Sequence, residues 1–300
     1  MVYWVGLKVW FMELRPQFLL LSIVLAFLGT CVAFYEGFFN PPHFILALIG
    51  LLFLHISVNV LNDYFDYKSG IDLEVRRTPF SGGSGILPPQ LLSPPSVFRL
   101  GLACLTLGVV IGIYFVVVVG PLLIPIVLLA AVISYFYTTH LARWMVGELC
   151  AGLGLGALPV LGAYFVQSGY YSPLAMVASI PPFILVFNLL FLNEFPDVEV
   201  DMKHGRRNLV IWLGRANASK LYSVLTAIMY GWIALCVVLN WMPTPVLLSL
   251  LTLPWGLKAI QTSLRHYGDE GIVRAMAWNV IVVLLTQALM GVGFLIASFI

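Results

Sequence analysis

Long apolar runs separated by short polar connections set the rhythm of this chain. They fall at about 17–35, 43–62, 98–118, 121–138, 146–166, 174–193, 218–239, 244–262 and 274–299. A bilayer core about 30 Å thick is crossed by about 20 apolar residues in a helix, so each run is read as a membrane span. The runs are too long for barrel strands and lack the alternation of polar and apolar residues that a membrane barrel needs. The pattern therefore predicts an all-α membrane protein: about nine transmembrane helices in one bundle around a central cavity, capped by cytoplasmic loops, with residues 1–300 forming a single membrane domain.

Charge gives the bundle a direction. With these spans, all Lys and Arg residues, from Lys8 and Arg15 to Arg265 and Arg274, fall on one side. The opposite connections, near Glu36, Gly120, Ser168 and Asn240, carry none. The positive-inside rule then places the N-terminus and the long loops in the cytoplasm and Ile300 outside. Composition agrees with a lipid solvent, at 61% hydrophobic and 9% charged residues and a mean hydropathy of +1.00. A net charge of +2 gives no reason to expect a nucleic-acid partner. Cys31, Cys104, Cys150 and Cys236 sit singly in apolar runs and read as small hydrophobes. The mixed residues through Arg15 and the many spans that follow argue against a cleaved signal peptide.

The acids are sorted as unevenly as the bases. Of the 13 acidic residues, eight lie in two stretches after the second and sixth spans, residues 59–74 and 193–205. The stretches superimpose: Asn62 on Asn193, Asp63 on Glu194, Asp66 on Asp197. Such a duplication suggests a site where two repeats meet. In a helix, Asn59, Asn62, Asp63 and Asp66 follow an i, i+3, i+4, i+7 pattern and share a face, as do Glu194, Asp197 and Asp201.

Carboxylates gathered at a membrane boundary repel each other unless cations join them. Oxygen ligands without matching His or Cys favour a hard ion, and Mg²⁺ held by few carboxylates keeps positions for water and phosphate oxygens. Asn62, Asp63, Asp66, Asp197 and Asp201 are the candidate ligands. Arg15, Lys68, Arg76, Arg77, Arg143, Lys203, Arg206 and Arg207 are the candidates to neutralise a diphosphate. His55, two turns before Asn62, is a candidate for an acceptor pocket, or else for a bond to a neighbouring helix, as are Asn188, Asn279 and Gln287. Glu148 at a span entrance is placed to orient or deprotonate an acceptor. The Gly- and Pro-rich segment 78–90 reads as a mobile connection that gates the site together with residues 205–208. The competing class is a secondary transporter, whose carboxylates belong near the midplane rather than at one boundary.

These residues carry a resemblance. The two acidic motifs resemble those of the UbiA superfamily of intramembrane prenyltransferases. The stretches 62–72 (Asn62 to Asp72), Tyr135-Phe136-Tyr137-Thr138, Gly147-Glu148-Leu149, 158–167 and 205–210 are most similar to 1,4-dihydroxy-2-naphthoate polyprenyltransferases. The chain has Gly70 where many members carry a third acid, and offers Asp72 two residues later. Thr139-His140-Leu141 replaces a Gly-Gly-Pro stretch of the naphthoate branch. The resemblance implies two Mg²⁺ ions on Asn62, Asp66, Asp197 and Asp201, a prenyl diphosphate donor, and catalysis at Asp66, Asp197, Asp201 and Glu148. It implies a prenyl and acceptor pocket near Asn59, His55, Tyr135, Tyr137 and Asp72, with a lipophilic or aromatic acceptor and the prenyl tail open to membrane lipid. The alternative acceptor is geranylgeranylglyceryl phosphate.

Overall fold

The structure, a computed structural model, describes residues 2–300. Its helices in chain order are α1 (Val2–Glu13), α2 (Pro16–Tyr35), α3 (Pro41–Ser69), α4 (Ile71–Glu74), α5 (Pro94–Val118), α6 (Ile124–Phe136), α7 (Gly147–Gly152), α8 (Leu158–Ser168), α9 (Pro173–Asn193), α10 (Val198–Lys203), α11 (Leu209–Leu213), α12 (Arg215–Val238), α13 (Leu253–His266) and α14 (Ile272–Ala297). There is no strand among the described residues.

Seven segments are long and apolar enough to cross a membrane: α2, α3, α5, Gly147–Ser168, α9, α12 and α14. The other two expected spans take different forms. Pro121–Phe136 is a shorter apolar helix. The run read as 244–262 is divided into 3-10 turns over Thr244–Thr252 and then α13, which carries Lys258 and Arg265. The Gly147–Ser168 span is itself kinked by a π turn at Leu153–Ala157, with Leu155 at φ −118° and ψ 21°. Pro159 explains the kink, because it has no N–H to return to the carbonyl of Leu155.

Proline stands in the first turn of α2, α3, α5 and α9, where its missing N–H costs nothing. Asn40 Oδ1 accepts from the His43 N–H at 3.2 Å and Ser172 Oγ from the Ala175 N–H at 3.2 Å, closing the starts of α3 and α9. The main core joins α2, α8, α9, α12 and α14 through Leu25, Leu28, Val160, Tyr164, Leu185, Ile233 and Phe294.

Lipid tails are as apolar as leucine, so close approach and polar contacts hold such helices together. A Cβ on Gly156 would stand 2.6 Å from the carbonyl oxygen of Pro182, so only glycine lets this turn meet α9. Asn188 donates to Thr226 Oγ1 at 3.0 Å, and Tyr222 donates to Asn279 Oδ1 at 3.0 Å. Gln287 donates within its own helix, to the Val283 carbonyl at 2.7 Å.

The two ends of the bundle differ. At one end, Glu36 accepts from Tyr164 Oη and from Ser172 Oγ, and Gln167 accepts from the Asn40 N–H at 2.6 Å. The other end carries both acidic motifs.

Candidate active site

A cavity of about 350 Å³ opens among α2, α3, α5, α6, α7–α8 and α9. Its inner wall is apolar, with Leu51, Leu54, Val58, Val127, Ile133 and Leu158. Its polar end is lined by Asn62, Asp66, Asp72, Asn193, Glu194, Asp197, Asp201, Asn208, Arg15 and Arg206. Five carboxylates therefore meet two guanidinium groups, and three carboxylates have no counter-charge.

Local structure explains how both motifs reach one place. α3 continues unbroken to Ser69, so Asn59, Asn62 and Asp66 keep their common face and line the cavity. α9 stops at Asn193, because Pro196 cannot donate back to Leu192. The chain turns through 194–197 and resumes as α10, with the Asp201 N–H bonded to the Asp197 carbonyl at 2.8 Å. Glu194, Asp197 and Asp201 thus still point into the cavity across the break.

Arg206 joins the motifs, donating to Asp66 Oδ1 and lying 3.4 Å from Asp201 Oδ1. Asn208 Nδ2 donates to Asp201 Oδ2 at 3.2 Å, while Asn62 Nδ2 donates to Asp66 Oδ2 at 3.1 Å and to Thr138 Oγ1 at 3.0 Å. Burial and then the neighbouring Asp201 push Asp197 up to about 7. Burial pushes Asp201 up to about 6 against the pull of Arg206. Burial and the charges of Asp66 and Asp63 push Asp72 up to about 8, and burial with Glu148 raises Glu194. These are carboxylates short of positive charge.

That shortage tests whether the residues suit a metal ion. Among the described residues no group of three or more His, Cys, Asp or Glu side chains is placed to hold a metal ion by itself. Mg²⁺ does not need one, since it is held by one or two carboxylates and completes its shell with water and phosphate oxygens. Oxygen donors on two facing motifs, with raised pKa values and too few cations, fit such an ion.

The sequence model of the UbiA prenyltransferase family matches residues 20–297. The chain belongs to this family. It is a multi-pass membrane prenyltransferase with the all-α UbiA fold. It is 27% identical over 288 residues to the 1,4-dihydroxy-2-naphthoate octaprenyltransferase of Bacillus subtilis (strain 168), covering 95% of this chain and 91% of that protein. A UbiA homologue from Archaeoglobus fulgidus bound to DMAPP and Mg²⁺ shares the fold with a TM-score of 0.63 at 17% identity, over 94% of this chain and 98% of that one. A digeranylgeranylglyceryl phosphate synthase shares it with a TM-score of 0.67 at 16% identity, over 97% and 99%.

In this UbiA prenyltransferase the expected site residues separate into groups. Asn59, Asn62, Asp66, Asp72, Asp197, Asp201, Arg15, Arg206, His55 and Tyr137 line the cavity. His55 also bonds Ser22 through Nδ1 at 2.8 Å. Lys68 and Arg143 border a smaller cavity behind Asp66, which Arg206 also lines. Arg76 is bound to Glu270, Lys203 to Glu74 at 2.6 Å, and Arg77 to the carbonyls of Ser84 and Gly83, while Arg207 is exposed. The structure does not bring these four into the cavity. Tyr135 packs edge-on to Phe65 rather than lining it. Glu148 is buried beside it and accepts from the Leu209 N–H at 2.6 Å, fixing the start of α11. Asp63 is buried, bonded to the Ser84 N–H at 2.7 Å and 3.5 Å from Arg15.

The 78–90 segment is a correction to its expected looseness. Ser81, Ser84, Ile86 and Leu87 are buried, and Phe80 to Gly83 form part of the cavity wall. Turn-forming residues read as mobile when their partners are distant in sequence. Sequence reasoning also missed Glu13, wholly buried and bonded to Ser84. An acid two residues before Arg15, at the edge of the first apolar run, was the available signal.

Proposed function

We propose that this chain transfers a polyprenyl group from a prenyl diphosphate to an aromatic acceptor resembling 1,4-dihydroxy-2-naphthoate, with two Mg²⁺ ions at the carboxylate end of the cavity. The observation that carries this reading is the meeting of Asp66 and Asp201 on Arg206, at the charged end of an otherwise apolar cavity. The name of the Bacillus subtilis relative favours the naphthoate acceptor. The homologue holding DMAPP and Mg²⁺ favours the donor and the metal. The one-sided distribution of Lys and Arg favours a cytoplasmic opening.

Asn62, Asp66, Asp197 and Asp201 would hold the ions. When bound, Mg²⁺ supplies Lewis-acid polarisation of the diphosphate oxygens and offsets charge on the leaving group. Arg15 and Arg206 donate hydrogen bonds to those oxygens, which strengthen as the allylic C–O bond breaks and its electron pair leaves with the diphosphate. Leu51, Leu54 and Val58 keep water from the electron-poor carbon, and the aromatic side chains of Phe18, Phe80 and Tyr137 line the same cavity. A ring π pair of the acceptor forms the bond to the prenyl carbon, and aromaticity returns when that ring carbon loses H⁺ to a carboxylate or, where it bears the carboxylate, loses CO₂ with the C–C pair returning to the ring.

The test is diphosphate release from geranylgeranyl diphosphate by purified protein, with and without Mg²⁺, offering 1,4-dihydroxy-2-naphthoate and geranylgeranylglyceryl phosphate separately. Metal-dependent turnover with the naphthoate alone is expected. Turnover with the glyceryl phosphate alone assigns the protein to ether-lipid synthesis, and no reaction with either acceptor overturns the reading.

The raised carboxyl pKa values give this assay a pH dependence. Asp201 near 6 and Asp197 near 7 are largely protonated in mildly acid solution and ionise as pH rises. Only the ionised form binds a cation well. The Mg²⁺ concentration for half-maximal rate is therefore expected to fall between pH 6 and 8. A constant requirement over that range would remove these two acids from the metal shell.

A further inference from the structure

Glu13 belongs to neither acidic motif, yet no part of it is exposed. It ends α1, and its Oε2 accepts from Ser84 Oγ at 2.8 Å. Ser84 in turn gives its backbone N–H to Asp63 Oδ2 at 2.7 Å. The other Asp63 oxygen lies 3.5 Å from Arg15 Nη1, and Arg15 lines the cavity. Arg15 itself sits at φ 54° and ψ 58°, left-handed backbone that a bulky residue adopts only when its surroundings impose it.

The same chain of bonds shapes the cavity wall. Gly83 has φ +70°, and a Cβ there would lie 2.9 Å from Asp72 Oδ2 and 3.3 Å from Asp63 Oδ1. The loop backbone is thus pressed between two carboxylates, where it has no reason to stay unless something holds it. Ser84 is what is held, by Glu13 through its hydroxyl, by Asp63 through its N–H and by Arg77 through its carbonyl. Asn59 adds a tie from α3 to the same junction, donating to the Leu14 carbonyl at 3.3 Å.

We infer that Glu13 is a positioning residue for donor binding: through Ser84 it fixes the Ser81–Gly83 wall and, with Asp63, keeps Arg15 turned into the cavity. Asp63 works in this arrangement as the hub that joins α1, α3 and the loop. The inference rests on the prenyl diphosphate reading of the cavity. Its effect belongs to donor affinity, because Glu13 and Ser84 reach Arg15 only through Asp63 and touch none of the reacting atoms.

The experiment uses the full chain in lipid nanodiscs, with the Glu13→Ala, Glu13→Gln and Ser84→Ala variants and the Glu13→Ala/Ser84→Ala double variant. Losing this buried hydrogen bond is expected to raise KM for geranylgeranyl diphosphate about tenfold in each alanine variant, with kcat changed less than about twofold. Both single variants remove the Glu13–Ser84 bond, and Ser84→Ala also removes the acceptor of the Ile86 N–H, so the double variant is expected to match Ser84→Ala. Glu13→Gln keeps an acceptor for Ser84 Oγ and retains the wild-type KM. Independently of turnover, the Ser84 amide is expected to exchange hydrogen at least about tenfold faster in Glu13→Ala and unchanged in Glu13→Gln. Unchanged KM, KM effects that multiply in the double variant, or unchanged exchange in Glu13→Ala would each overturn the inference. If the wild-type protein consumes no donor, the functional reading fails, and amide exchange alone decides whether Glu13 fixes the wall.

Discussion

Asp66→Asn is expected to lower kcat for metal-dependent diphosphate release roughly 10³-fold, the cost of losing several kcal/mol of charge stabilisation at the leaving group. Asparagine keeps the shape and can still bond Asn62, so the loss isolates the charge. The fold is expected to survive, because Arg206 keeps Asp201 as a partner and Asp66 is one of five crowded carboxylates. Asp197→Asn on the facing motif is expected to behave similarly. Initial rates at saturating donor, with thermal unfolding in detergent as the control for folding, check both. A kcat within tenfold of wild type in either variant would take that acid out of the metal shell.

The reach of the sequence follows from how far each partner lies along the chain. The first motif was legible because α3 runs straight through it, so Asn59, Asn62 and Asp66 kept a common face, while Asp63 turned to Ser84 and Arg15. The second motif kept its common side although α9 ends inside it, because the turn at Pro196 passes directly into α10. The cations were less legible. Arg76 finds Glu270, 194 residues away, and Lys203 finds Glu74, 129 residues away, so neither faces the cavity. Nothing in local spacing distinguishes them from Arg15 and Arg206, which do line it.

The same limit hid the loop and the acid that holds it. The Gly, Ser and Pro residues of 78–90 suggested mobility, because the groups that immobilise Ser84, Glu13 and Asp63, lie 71 and 21 residues away. The expected spans and the helices differ in form at two places, one short and one divided. Pro121–Phe136 is short, and the Thr244–His266 region alternates apolar turns with a charged helix face. Elsewhere each expected span coincides with a helix, because in lipid a backbone without internal hydrogen bonds is too costly to leave open.

Arg206→Ala has the second large effect, and it separates the roles of protein and metal. Arg206 is the one cation the structure places between Asp66 and Asp201, and its side chain is mostly buried, at 17% exposure. Removing one partner of such a pair leaves uncompensated charge, a cost of about 3–5 kcal/mol when the site is free of divalent ions. Part of that cost is relieved by protonation, since burial already pushes Asp201 up to about 6. The stability deficit is therefore expected to grow as pH rises from 6 to 8, where the carboxylates must carry their charge. Mg²⁺ is expected to restore much of the lost thermal stability by supplying positive charge to the same carboxylates, while KM for the donor stays high because the guanidinium is missing. Arg206→Lys is expected to fall between, keeping the charge without the planar fork that reaches both acids. Thermal unfolding of the two variants at pH 6 and 8, with and without Mg²⁺, reads these outcomes. If Mg²⁺ stabilises wild type and Arg206→Ala to the same degree, the ion does not share the carboxylates that Arg206 bridges, and the metal must be sought elsewhere along the cavity.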